Sequence, residues 1–229
     1  MRAILRVVIA AAIGGSALAA ASEPVSFRAA DGRLLYGDIY GAGNHGVVIL
    51  AHGGYSTRAS WKAAAEALAA EQLHVLVFES RGAADFAAGK ETPCMSDDVC
   101  QSRDVLAAIR HLQRLGAKTI SLIGGSLGGA AVALAAIDAG PQAIESLVLM
   151  APAAVVAPEK VPGRKLFITA RNDANSSGLR LPGIRAQYAR AQTPKAFTLV
   201  EGSAHGQNIL STPEGAAVLR DIIRFVKGR

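Results

Sequence analysis

Six short, nearly continuous apolar runs constrain the fold more than any other feature of the chain: "GVVILAHGG", "HVLVFESRG", "TISLIGGS", "SLVLMAPA", "KLFITARND" and "AFTLVEGSAHG". Runs of this kind suit strands buried on both faces, as in a parallel sheet covered by helices on either side. Helical spacing fills the intervals between them. Trp61, Ala64, Ala65 and Leu68 share one face, as do Val105, Ile109 and Leu112, and near the end Val218, Leu219, Ile222, Ile223 and Val226. Strand alternating with helix predicts an α/β fold with a mostly parallel central sheet and helices on both faces. Ahead of it, "VSFRAADGRLLYGDIYGAGN" alternates apolar and polar residues around Asp31-Gly32, the form of an N-terminal antiparallel hairpin. No internal repeat, low-complexity tract or long linker interrupts residues 22–229, which read as one domain.

Residues 1–21 have a different character. Arg2 and Arg6 precede a small-residue apolar run, and Ala17-Leu18-Ala19 or Ala19-Ala20-Ala21 offers a cleavage signature. The segment reads as a secretory signal peptide, because Gly14, Gly15 and Ser16 break a run too weak for the roughly 20 apolar residues a span needs. The expectation is a periplasmic or secreted protein without stable membrane insertion after cleavage. Cleavage removes two of the positive charges and leaves a formal charge of +4, only mildly basic. With no Lys/Arg block and 5% aromatic residues, the features of a nucleic-acid partner are missing. Cys94 and Cys100, the two cysteines, sit six apart, and an oxidising compartment predicts that they pair. Such a short loop contributes about 2 to 3 kcal/mol at most. Two thiolates alone make a poor metal site, so neither a metal nor a cofactor is expected.

In open α/β sheets, ligands bind beyond the carboxyl ends of the strands, which directs attention to His52-Gly53-Gly54, Arg81-Gly82, Ser126, Asp173 and His205. Around Ser126 the chain reads G-x-S-x-G, with Gly124 at minus two and Gly128 at plus two, where an apolar run gives way to the alanine-rich stretch of a helix. A serine hydroxyl attacks a carbonyl only when it is held exposed beside a base. A tight strand-to-helix turn does this at the cost of crowding that glycine relieves. Alone the motif is weak, arising by chance in roughly one chain in ten of this glycine content. A dinucleotide-binding turn fails on spacing, since it would need glycine at Ser126 or Leu127. The order Ser, acid, His is completed by Asp173 after "KLFITARN" and His205 after "AFTLVEGSA".

With these residues in place, the sequence from about Val25 onward resembles an α/β-hydrolase-fold serine hydrolase of a small, lidless, esterase-like kind. The resemblance implies Ser126 as nucleophile, His205 as general base and acid, and Asp173 as the carboxylate that orients the imidazole. "LAHGG" is similar to the family's oxyanion turn, which implies the backbone N–H groups of Gly54 and Leu127 as donors, with Tyr55 in place of Gly54 if the turn is shifted by one. Two departures from the family stand out. Only "APAAVVAPEKVPGR" joins "SLVLM" to "KLFITA", so no cap domain fits and the pocket is expected to be open. "ESRG" at Glu79 to Gly82 is similar to the family's D-x-R-G turn with glutamate first.

The expected function is hydrolysis of small to medium carboxylic esters, a small-molecule partner, through an acyl-enzyme on Ser126. Amide, peptide or thioester cleavage by the same triad stays open, as do a catalytically silent hydrolase-fold binding protein of the cell envelope and a purely structural domain. Blander readings exist for single residues. Asp173 suits a turn beside Asn172 and Asn175, Glu201 is the substitute acid, and His205 can be a surface loop residue. His52 is expected to be structural, Trp61 to be core, and His45, His74 and His111 to need no function. The irregular stretch from Ala83 to Ser102 carries the cysteine pair, and its disulfide is expected to stiffen one wall of the pocket.

Overall fold

A computed structural model describes residues 22–51, 56–83, 89–90, 92, 94 and 97–229; the expected leader at 1–21 and the turn residues His52, Gly54 and Tyr55 lie outside the described residues. The first half of the chain forms β1 (Glu23–Arg28), β2 (Leu34–Tyr40), β3 (His45–Ala51), α1 (Arg58–Ala70), β4 (His74–Glu79), α2 (Asp98–Arg114) and β5 (Thr119–Gly125). The second half forms α3 (Leu127–Ala139), β6 (Ser146–Met150), β7 (Arg164–Ala170), the two-residue strands β8 (Ala174–Asn175) and β9 (Gly178–Leu179), α4 (Leu181–Arg190), β10 (Lys195–Val200) and α5 (Gly215–Val226).

Eight strands make one sheet in the order β1-β2-β4-β3-β5-β6-β7-β10. The expected hairpin is present: β1 and β2 pair antiparallel from Glu23↔Ile39 to Arg28↔Leu34, and Gly32 in the turn takes φ 83°. β2 also runs antiparallel to β4, and the remaining pairings of this sheet are parallel. The chain leaves β3 toward β4 on one side and then crosses to β5 on the other. The crevice where strand order reverses therefore opens between the carboxyl ends of β3 and β5.

Apolar residues alternate between two cores. Val48 and Leu50 of β3 join α2, α3 and α4, whereas Val47, Ile49 and Ala51 join α1 and α5. Burying one such large apolar side chain stabilises by about 1.5–3 kcal/mol, which is why continuous apolar runs suit these strands. Trp61 is fully buried as expected, its indole N–H donating to Ser56 Oγ at 3.0 Å. Helix starts are capped from the sequence: Thr57 Oγ1 accepts from Ser60 N–H at the head of α1, and Asp97 Oδ1 from Val99 and Cys100 N–H at the head of α2. Residues 151–163 between β6 and β7 carry only a short 3-10 turn at Pro158–Lys160, and no cap domain is built there.

Polar groups brace the two ends of the sheet differently. At the amino end, His45 Nε2 meets Ser121 Oγ at 2.8 Å, and Ser121 Oγ meets Ser146 Oγ at 2.7 Å. Past the carboxyl end of β4, the Arg81 N–H and guanidinium bind the buried Asp104 of α2, with Nε 2.9 Å from Oδ1, and Arg81 also pairs with Asp31 of the hairpin turn. These bonds, chiefly that to Asp104, raise the arginine pKa above its ordinary value.

Two outcomes follow from this architecture. Gln72 ends α1 in the left-handed region at φ 64°, where a side chain is strained and glycine is not. Gln72→Gly is expected to stabilise the protein by about 0.5–1 kcal/mol, read as a thermal midpoint higher by about 2 °C. Burial lowers the pKa of His45, His74 and His111, so the folded state resists protonating them while the unfolded chain does not. Their contribution is fully present above the ordinary imidazole pKa of about 6.5 and is lost as pH falls below it. The thermal midpoint is accordingly expected to drop between about pH 7.5 and 5. An equal midpoint at both values contradicts this.

Candidate active site

Ser126 is the single residue between β5 and α3, at φ 54° and ψ −124°. Such a conformation costs a residue with a side chain about 1–3 kcal/mol and persists only where the surroundings over-determine it. Here they do. The Ser126 N–H donates to Met150 O at the end of β6 (2.9 Å), and Ser126 O accepts from Ala153 N–H (2.9 Å), Gly129 N–H (3.0 Å) and Ala130 N–H (3.3 Å). A Cβ on Gly124 would lie 2.4 Å from Gly128 O, so glycine at the minus-two position is a steric requirement of the turn. Leu127 is the first residue of α3, and its N–H belongs to the free donor end of that helix.

Asp173 lies three residues past β7 and His205 five past β10, and the parallel ladder between those strands sets their approach. Its last pair is Ala170↔Val200, and it is extended by Arg171 N–H to Val200 O and Asn172 N–H to Gly202 O, both 2.8 Å. Beyond this junction Asp173 Oδ2 and His205 Nδ1 stand 2.7 Å apart. The Asp173 side chain is 1% exposed and that of His205 32%, so a buried acid supports an accessible imidazole. An ionised carboxylate can only accept, which places the imidazole proton on Nδ1 and leaves Nε2 a free lone pair.

The loop after His205 packs on the serine turn. A Cβ on Gly125 would meet Gln207 N at 3.3 Å, and one on Gly206, itself at φ 56°, would come within 3.8 Å of Ser126 N. Asp173 and His205 are thus in direct contact and the Ser126 turn abuts their loop. The hydrogen bonds among the described residues do not include one from Ser126 Oγ to the imidazole, a bond that in free enzymes is often long until substrate binds.

Other sequence candidates fall elsewhere. Glu201 does not reach the histidine; it holds Arg171 in a two-pronged pair at 2.7–3.0 Å, which lowers its pKa. Asn175 proves to be the turn former, its Oδ1 accepting from Ser177 N–H at 2.9 Å. Glu79, first in "ESRG", lies 3.5 Å from Arg58 Nε, and Arg58 also bonds Asp38 of β2. Cys94 and Cys100 form a disulfide that ties the segment after β4 to the first turn of α2, with Gln101 Nε2 bonding Cys94 O at 3.2 Å. Nine residues of the stretch from Ala83 to Ser102, on which the stiffened pocket wall was expected, lie outside the described residues. Sequence reasoning missed Arg180, whose Nε stands 3.5 Å from Asp173 Oδ1, and the helix α4 that it precedes.

Among the described residues, no group of three or more His, Cys, Asp and Glu is placed to hold a metal ion, and no helix is long and apolar enough to cross a membrane. A groove of about 720 Å³ lined by Thr119, Ile144, Arg164 and Lys165 opens at the amino ends of the strands, away from Ser126.

The family model of the alpha/beta hydrolase fold matches residues 46–203. The chain belongs to this family. No curated protein matches the sequence. Solved structures similar to this alpha/beta hydrolase include a dienelactone hydrolase from Anabaena variabilis, at 20% identity and TM-score 0.72 over 90% of this chain and 97% of that one. An esterase of Pyrococcus furiosus is 19% identical with TM-score 0.66, over 91% of this chain and 92% of that one. A dipeptidyl peptidase 4 of Porphyromonas gingivalis is 14% identical with TM-score 0.70, and there 93% of this chain matches 36% of the larger protein. At these identities the likeness is one of fold.

A methyl group at position 124 tests the geometry of the turn. Gly124→Ala is expected to destabilise by about 2–3 kcal/mol through backbone displacement, seen as a lower denaturation midpoint, whereas an unchanged midpoint means that the turn has room to spare.

Proposed function

We propose that the protein is a serine hydrolase that cleaves small to medium carboxylic esters through an acyl-enzyme on Ser126. The observation that carries this reading is the 2.7 Å contact between buried Asp173 and half-exposed His205, on a loop that packs against the strained serine turn. In this scheme His205 Nε2 takes the proton of Ser126 as the hydroxyl oxygen attacks the ester carbonyl. Asp173 holds the Nδ1 proton and stabilises the imidazolium that forms. The N–H groups of Leu127 and Gly54, or of Tyr55, receive the developing oxyanion, aided by the positive end of α3. Collapse of the tetrahedral species expels the alcohol, which takes its proton from His205; water activated by the same imidazole then releases the acid and frees Ser126.

The absence of a cap between β6 and β7 favours small soluble esters over lipid aggregates, and the esterase and dienelactone hydrolase among the similar folds are in keeping with ester substrates. The peptidase neighbour marks the other chemistry the same triad supports. We also propose that residues 1–21 direct export to the periplasm or the medium, where the Cys94–Cys100 bond is maintained.

Ser126→Ala decides between hydrolase and silent binding protein. A fluorophosphonate probe is expected to label the folded wild type and not the mutant, with nitrophenyl acetate or butyrate turnover falling by about three orders of magnitude or more. A folded wild type that resists the probe overturns the proposal.

A further inference from the structure

We propose that Arg180 is a positioning residue for the Asp173–His205 pair, acting on one carboxylate oxygen while the imidazole holds the other. The proposal rests on the triad reading above. Immediately after Asp173 the chain turns back on itself. β8 and β9 pair antiparallel, Ala174↔Leu179 and Asn175↔Gly178, Gly178 takes φ 107°, and the Asn175 side chain braces the reversal. The hairpin returns the backbone to its origin, with Arg180 N–H donating to Asp173 O at 2.9 Å. In the same closure Arg180 Nε arrives 3.5 Å from Asp173 Oδ1, opposite the oxygen that binds His205. At that distance the two form an ion pair without a hydrogen bond. The Nε atom is shielded from solvent and has no hydrogen-bond acceptor among the described residues. Arg180 stands at the head of α4 but its side chain makes no cap there.

Among the described residues, Asp173 is the one acid paired with this cation. Arg171, on the approach to the acid, is engaged by Glu201, on the approach to the histidine, and that exposed pair is neutral as a unit. On the loop packed against the serine turn, Gly206 and Gln207 bring no charge. A guanidinium beside the carboxylate shares its negative field with the imidazole and so disfavours the imidazolium. The planar guanidinium also restrains rotation of the carboxylate about its bond to Cβ.

The experiment is the pH dependence, from 5 to 9, of fluorophosphonate labelling in the mature full chain, compared among wild type, S126A, R180Q and R180K, with thermal midpoints as the folding control. The half-plateau pH of R180Q is expected to rise by about half a unit to one unit, because one nearby charge is removed. Its labelling rate at pH 6 is then lower by about three- to tenfold beyond any change at the plateau. R180K, which keeps the charge, retains the wild-type midpoint. If R180Q does not fold, R180M removes the charge with a similar apolar stem and is read by the same criterion. A folded neutral variant with an unmoved half-plateau overturns the role of Arg180 while leaving the triad standing. Failure of the wild type to label overturns the triad reading itself.

Discussion

When a central strand must hand over to a helix within one residue, that residue cannot keep either conformation. At Ser126 the chain meets this constraint in the left-handed half of backbone space, and much of the molecule is arranged to hold it there. The end of β6 supplies an acceptor for its N–H, and Ala153 a donor to its carbonyl. Gly124 allows the first turn of α3 to fold back within 2.4 Å of where a Cβ would stand. Ala151, next to the acceptor strand, is itself at φ 44°, so the strain is shared across neighbouring strand ends. The strand order adds the reason for its location. β5 borders β3 at the point where the chain changes sides, the position at which open α/β sheets bind ligands.

The approach of acid and base is a backbone matter before it is a side-chain one. β7 and β10 are neighbours in the sheet, and their ladder runs two further hydrogen bonds into the loops before the chains part. By then the freedom of Asp173 and His205 has been reduced to a few dihedral angles, and their 2.7 Å contact adds little further loss of entropy. The exposed Arg171–Glu201 pair lies across the same junction. As a surface pair its own stabilisation is small, and it leaves the junction without net charge from these two residues.

What the sequence made legible were features governed by local rules. Continuous apolar runs marked the sheet, and of the residues ending three of them Asp173 and His205 stand 2.7 Å apart, with the loop after His205 packed against the Ser126 turn. The disulfide was legible because only one pairing exists. Arg180 was not, because nothing local distinguishes it; its meaning depends on a six-residue hairpin that closes on Asp173. Asn172 and Asn175 suited a turn there, but did not tell what the turn carries. Helix α4 went unread for a related reason. "LPGIRAQYAR" buries a single side chain, Ile184, and so lacks the apolar stripe on which periodicity depends. Asp104 shows a third kind of silence. A carboxylate on a helix face ordinarily looks outward, and only the tertiary approach of Arg81 explains its full burial.

That burial bears on the passage from β4 to α2. Its sequence from Ala83 to Asp97 is poor in large apolar side chains, so the hydrophobic effect offers little to fix it. Two other ties take that role. Arg81 joins the start of the passage to the body of α2, and the Cys94–Cys100 bond joins its far part to that helix's first turn, where Asp97 caps the free N–H groups. A buried ion pair is a weak source of net stability compared with apolar packing, but it is costly to leave half-made and therefore selects one geometry. A disulfide similarly restricts the alternatives open to the chain rather than adding burial. Ties of these two kinds fix the described ends of the passage to α2 without requiring an apolar core beneath them.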